Sequence, residues 1–179
     1  MAPMKKKILL GTALLVVITI PAALGVRFYR SLPSATLAVG ETIPTLAAQP
    51  VGGASPLPQQ GRRALLFFSP SCSYCEEVVA QFGKLRERRP EWFSGDGAVK
   101  LALISVGAND ETVAFAQNTA WPVYLDADRQ VMKAMRGVSV PYLVLVDERN
   151  HAQYRHTGMR GLDYHEKLIG AFRQTGRTP

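Results

Sequence analysis

The longest apolar stretch of the chain runs from Ile8 to Val26, 19 residues without a charge, directly after Lys5, Lys6 and Lys7. A helix of that length just spans a bilayer core of about 30 Å. The lysines place its N-terminus on the cytoplasmic side. The stretch is longer than the roughly 7–15 apolar residues of a secretory signal. Residues 1–7 are therefore expected to be a cytoplasmic tail and residues 8–26 a transmembrane anchor. The alternative is a signal cut before Val26, with the small residues Ala23 and Gly25 at the required positions; it delivers the rest of the chain to the same compartment.

Residues 27–37 read as a linker, residues 38–174 as the folded domain and residues 175–179 as a tail. Short apolar pieces between Thr42 and Gln60 are interrupted by Gly52-Gly53 and Pro56-Leu57-Pro58, which leaves room for a small strand pair. From Ala64 the pattern is stronger. Ala64 to Phe68 is a continuous apolar run, as in a strand buried on both faces. Val78, Val79, Phe82 and Leu85 then recur at helical spacing, in a helix predicted from Cys72 to Arg89 and stopped by Pro90. Val99 to Val106 predicts a second buried strand. Asn109 is expected to cap a helix through Gln117, with Asp110 and Glu111 in its first turn. A short strand at Val123 to Leu125, a short helix at Arg129 to Met135 ended by Gly137, and strands at Tyr142 to Val146 and Ala152 to Thr157 follow. His151 falls in the turn between those last two strands. Leu162, His165, Leu168, Ile169 and Phe172 mark a final amphipathic helix. Strands alternating with helices, closed by two strands across a tight turn, predict an α/β fold with a central mixed sheet flanked by helices.

Charge changes little in this picture. The chain carries 21 Lys and Arg against 14 Asp and Glu. The first 30 residues hold five of the basic residues and no acid, so the excess belongs mainly to the N-terminus. A nucleic-acid surface would need that excess on the folded domain, and no nucleic-acid partner is expected. Arg86, Arg88 and Arg89 read as the solvated face and last turn of a helix.

The two cysteines, Cys72 and Cys75, carry the chemistry. They are the only ones in the chain, which excludes a four-thiolate zinc site. Two residues, Ser73 and Tyr74, separate them. At a helix N-terminus the backbone amides and macrodipole stabilise a thiolate at the first cysteine. The second lies one turn in, within reach of a disulfide. Cys72 would attack a disulfide and Cys75 would resolve the mixed disulfide that forms. A purely structural disulfide across four residues would constrain little chain and stabilise little. A metal site recruiting His151 and His156 would need to span 75 residues from Cys75. Met132, Met135 and Met159 suggest copper, but the first two have core spacing on a helix. Trp92, Phe93 and Trp121 read as packing residues.

The stretch LLFFSPSCSYCEEV, followed by WPVYLDADRQVMKAMRGVSVPYLVLVDERNHAQYRHTG, resembles the thioredoxin superfamily, and most the membrane-anchored, periplasmic TlpA/ResA-like branch. The Ser-Pro-Ser-Cys lead-in is also similar to thioredoxin-like maturation proteins of methylamine dehydrogenase. The resemblance implies a thioredoxin-like fold over residues 38–174. It implies that Pro141 is cis beside the cysteine pair, that Val140 offers backbone hydrogen bonds to a bound substrate chain, and that Ser73 and Tyr74 also face that chain. Gly158 ends the strand that follows.

Three positions depart from the pattern. Ser71 stands where many relatives have Trp. Leu66 stands where thioredoxin has a buried Asp. Ser73-Tyr74 is neither Gly-Pro nor Pro-His. Glu76 and Glu77 in the first helical turn oppose a thiolate and lean the pair toward a reductant. The resemblance then implies a thiol–disulfide oxidoreductase acting without a bound cofactor or metal on exported client proteins with reducible disulfides or thiols. Cytochrome c maturation is one setting and maturation of another periplasmic enzyme a second. A membrane electron donor would recharge the pair. The domain would lie in the periplasm, held at the inner membrane through residues 8–26 in the lipid bilayer. The competing readings are a thioredoxin-fold copper metallochaperone and a thiol peroxidase.

Overall fold

The structure is a computed structural model that describes residues 36–175. The expected tail 1–7, the anchor 8–26, most of the linker and the end of the chain after Thr175 lie outside the described residues. Among the described residues no helix is long and apolar enough to cross a membrane.

Six strands form one mixed sheet: β1 (Gln49–Val51), β2 (Arg63–Phe68), β3 (Lys100–Ser105), β4 (Val123–Leu125), β5 (Tyr142–Val146) and β6 (Ala152–Thr157). Their order across the sheet is β1-β4-β3-β2-β5-β6. β2, β3 and β4 run parallel to one another, while β1, β5 and β6 pair antiparallel with their neighbours. The helices are α1 (Ser73–Arg88), α2 (Asn109–Gln117), α3 (Gln130–Ala134) and α4 (Leu162–Thr175).

β2 is central and fully buried, as its unbroken apolar run requires. Successive side chains of a strand point to opposite faces, so β2 feeds two cores. Ala64, Leu66 and Phe68 join Val78, Phe82 and Leu85 of α1 and Leu168, Ile169 and Phe172 of α4. Leu65 and Phe67 join Val131 and Met132 of α3, Met135, and the N-terminal residues Leu37, Ile43, Leu46 and Leu57. Leu37, placed in the linker by the sequence, is thus buried in the domain core. α1 ends at Arg88 because Pro90 cannot continue it; Pro90 instead opens a 3-10 turn over Pro90–Trp92.

Two local expectations are corrected. The segment 42–60 does not pair within itself: β1 adds to β4, and Thr42 bridges to His151, which is half-buried and whose amide donates to the Asp147 carboxylate at 2.9 Å. Asn109 is the first residue of α2 and not its cap. The cap is Ala108, without a side-chain bond. The turn before it is held from both sides: Gly107 donates to the hydroxyl of Ser105 on β3 at 3.2 Å, and Thr112 Oγ1 of α2 donates to the Ala108 carbonyl at 2.7 Å.

Candidate active site

The chain leaves β2 at Phe68 and reaches α1 through Ser69, Pro70 and Ser71. Cys72 is the cap residue of α1, with extended backbone (φ −103°, ψ 106°) and no capping bond from its side chain. Its carbonyl already accepts the first helical bonds, from the amides of Cys75 at 2.9 Å and Glu76 at 3.1 Å, while its own amide donates to Ser69 O at 3.1 Å. A serine or aspartate here would spend its side chain on the free amides of the first turn. Cysteine leaves a sulfur at the positive end of the helix dipole, where an anion is best held. Cys72 is half-buried and Cys75 fully buried, and both are free thiols.

Cys75 faces inward with the α1 stripe that meets Leu66 and Phe68. Burial pushes its thiol up to about 12, helped by the neighbouring Cys72 side chain and by the nearby charge of Glu76, with the Ser69 backbone acting in the opposite direction. At neutral pH Cys75 is therefore a thiol. Leu66, the position of the absent Asp, is fully buried in the same apolar cluster. Ser73 is exposed, and Tyr74 projects into solvent with 62% of its surface free.

Val140 and Pro141 come to the same region from another part of the chain. The Val140–Pro141 peptide is cis. Pro141 is buried, and Val140 packs against the clusters of both sheet faces, one of which also receives Cys72. The Pro141 carbonyl accepts the Gly158 amide at 2.8 Å, so the start of β5 and the end of β6 are tied together there. Gly158 needs to be glycine because its φ is +93°. On either side, Val138 and Met159 are exposed apolar residues.

The other candidates go elsewhere. Among the described residues, no three His, Cys, Asp or Glu side chains converge as a metal site would require. His156 accepts a hydrogen bond from Arg160 at 3.1 Å, and Met132 and Met135 are core residues. Trp121 packs edge-on to Phe93 and carries Arg86 over its ring at 4.4 Å. Arg88 and Arg89 pair with Glu166. Sequence reasoning missed Gly107, whose Cα faces Pro70 and Ser69 across the site, because no local pattern marks a glycine required by a distant loop.

No family model matches the chain, and no curated protein matches it. Solved structures do. StoA from Bacillus subtilis superposes with a TM-score of 0.57 at 18% identity, over 70% of this chain and 97% of that one. The thioredoxin domain of the thiol-disulfide oxidoreductase BVU-2223 from Bacteroides vulgatus gives 0.62 at 18%, over 76% and 99%. A secreted Mycobacterium tuberculosis disulfide oxidoreductase, homologous to DsbE of E. coli, gives 0.51 at 17%, over 62% and 81%. At these identities the likeness establishes the fold, and the fold is thioredoxin-like.

Proposed function

We propose that this thioredoxin-like domain is a thiol–disulfide oxidoreductase in which Cys72 is the attacking and Cys75 the resolving cysteine. The observation that carries the reading is the asymmetry of the pair. Cys72 caps the active-site helix with its sulfur uncommitted and partly open to solvent. Cys75 is sealed one turn in, buried behind it.

The Cys72 thiolate attacks one sulfur of a client disulfide. A Cys72–client bond forms, and the client's other sulfur leaves as a thiolate that takes up a proton. Cys75 then loses its proton and attacks the Cys72 sulfur. The Cys72–Cys75 disulfide forms, the bond to the client breaks, and the second client sulfur leaves and is protonated. Two electrons pass from the pair to the client. Val140, ahead of the cis proline, offers its backbone to the client chain, with Ser73 and Tyr74 on the opposite rim.

The direction we assign is reduction of the client. A strong oxidant is one whose reduced form is stabilised. Here burial and Glu76 both disfavour a thiolate at Cys75, so the dithiol has little to hold it. The further proposals are that clients are exported proteins, apocytochrome c among them, that a membrane electron donor re-reduces the pair, and that residues 8–26 anchor the domain in the inner membrane with its active site in the periplasm.

The test uses the reduced protein and insulin. Cys72→Ala should abolish insulin reduction, and Cys75→Ala should retain a covalent complex with the client. Full activity of Cys72→Ala would remove the assignment.

A further inference from the structure

We infer that Arg136, outside both the cysteine motif and the Val140–Pro141 pair, is a positioning residue for client binding: its ion pair with Glu41 clamps the loop 136–140 to the edge of the sheet and so sets where Val140 meets the client chain. The inference rests on the oxidoreductase reading above and adds to it the contact that holds the client-binding loop in place.

The loop has little to hold it internally. Among the described residues, Val138, Ser139 and Val140 make no hydrogen bond. Val138 is 84% exposed, and Val140 is held by apolar packing. The placement of these three residues is therefore inherited from the two ends of the loop. At the far end the Pro141 carbonyl accepts the Gly158 amide at 2.8 Å. At the near end the chain turns out of α3, where the Arg136 and Gly137 amides donate back to Lys133 O and Met132 O, both at 2.9 Å. Gly137 is seated on the core side: a Cβ there would stand 2.8 Å from Cδ1 of Tyr142, whose hydroxyl donates to Met135 O at 2.9 Å. The outer side of this turn belongs to Arg136.

Arg136 has a φ of +53°, in the left-handed region that glycine adopts freely and a residue with a Cβ adopts at a cost. An arginine held there points to a task for its side chain. Its Nη2 donates to Glu41 Oε1 at 2.6 Å and its Nη1 to Oε2 at 3.1 Å, a two-pronged pair, while Nη1 also reaches the Thr36 carbonyl at 3.0 Å. The two side chains are 26% and 31% exposed, so solvent screens this pair less than a fully open one. Glu41 is itself fixed. Its Oε2 accepts the Ala38 amide at 3.0 Å, its carbonyl accepts the Ala152 amide at 2.9 Å, and Thr42 beside it bridges to His151. The strand β6 therefore holds both ends of the loop. Its first residue, Ala152, acts through Glu41 and Arg136, and Gly158, just past its last residue, acts through Pro141. Opening the clamp frees one end and leaves the Cys72 helix untouched.

Two disulfides separate client binding from sulfur reactivity. The reduced protein is mixed either with insulin, a polypeptide whose chain must lie against the loop, or with 5,5′-dithiobis(2-nitrobenzoate), a small reagent that needs only the Cys72 sulfur. The readout is the ratio of the two second-order rate constants. Arg136→Gly keeps the left-handed backbone without cost and removes the clamp. It should lower the insulin constant about threefold or more and leave the reagent constant within about twofold. Arg136→Lys keeps the charge without the fork and should fall between wild type and Arg136→Gly. Glu41→Gln should lower the ratio in the same direction, but added to Arg136→Gly it should change little further, because its partner is gone. A merely structural clamp would shift the denaturation midpoint and leave the ratio alone. If Arg136→Gly does not fold, Arg136→Lys and Glu41→Gln carry the test. An unchanged ratio in the folded variants, or equal loss with both disulfides, would overturn the inference. Failure of the underlying reading looks different: the wild-type protein itself would then react with the reagent and leave insulin intact.

Discussion

His165 on α4 holds its Nδ1 2.9 Å from Oε1 of Gln81 on α1, and both residues are buried. This is a buried polar contact between two helices that also meet through Phe82, Leu85, Leu168 and Phe172 and, at the surface, through the Arg88–Glu166 pair. The imidazole also stacks on Phe82, with ring centroids 5.1 Å apart. A buried neutral histidine of this kind links the helix that carries the cysteines to the last helix of the fold.

Its burial, with a smaller contribution from His156, lowers the His165 pKa from 6.5 to about 4. The sign follows from linkage. Between those values the unfolded chain binds a proton that the folded chain refuses, so stability falls as pH drops below about 6.5. On moving from pH 7 to pH 5, wild type should lose about 2 kcal/mol from this group alone. Denaturant titrations of wild type and His165→Phe at both pH values check this. The variant should be less stable at pH 7, where Gln81 loses its partner, and should lose about 2 kcal/mol less than wild type on acidification.

Gly170 and Gly83 predict opposite outcomes for one substitution. A Cβ on Gly170 of α4 would lie 2.9 Å from Cη2 of Trp92, whereas nothing stands within 4 Å of one on Gly83 of α1. Gly170→Ala should cost about 1–3 kcal/mol through overpacking. Gly83→Ala should stabilise the protein by about 0.5–1 kcal/mol through helix propensity. Thermal or denaturant midpoints of the two variants read both signs.

Asp126 is a buried carboxylate that hydrogen-bonds both first-turn amides it faces, Val131 at 3.0 Å and Met132 at 2.8 Å. It starts α3, whose Met132 and the adjoining Met135 fill the second core. Asp126→Ala should cost about 2–4 kcal/mol, since two amides lose charged acceptors inside the fold. Asp126→Asn, which keeps one acceptor oxygen, should lose less. Denaturant unfolding of the two variants ranks them.

Much of this arrangement was legible in the sequence where the signal is local. The apolar run of β2, the strands Val123–Leu125, Tyr142–Val146 and Ala152–Thr157, and the helix opening beside Cys72 follow from period and punctuation. The cis bond before Pro141 came from the resemblance and not from any pattern in the residues. What escaped is long-range. β1 pairs with β4 across more than 70 residues of chain. Arg63 is fully buried at the start of β2, its guanidinium bound by Pro58 O and by Asn150 Oδ1. Gly107 matters through Pro70. Each depends on a partner that no window of sequence contains. The reading of Asn109 as a cap failed for the same reason, since Ser105 of β3 and Thr112 of α2 fix the turn between them.

The different burial of the two thiols predicts their order of reaction. Cys72 is partly accessible and Cys75 is not. Brief treatment of the reduced, native protein with iodoacetamide at pH 7 should therefore alkylate Cys72 and leave Cys75 unmodified, as peptide mass analysis would show. Denaturant should expose both. The thiolate is the reactive form, and burial holds the Cys75 thiol up to about 12. In the mixed disulfide Cys72 no longer carries a thiol, but burial still raises the Cys75 thiol, so the rate of resolution should climb with pH across the neutral range, by up to about tenfold per unit where the pKa stays well above the pH. Glu76→Gln removes the adjacent negative charge that disfavours this thiolate. It should speed resolution at a given pH by about two- to fivefold, the discount from a full ion effect reflecting its exposed position. A resolution rate that is flat between pH 6 and pH 8, or native alkylation of Cys75 ahead of Cys72, would contradict the assignment of the buried sulfur as the second nucleophile.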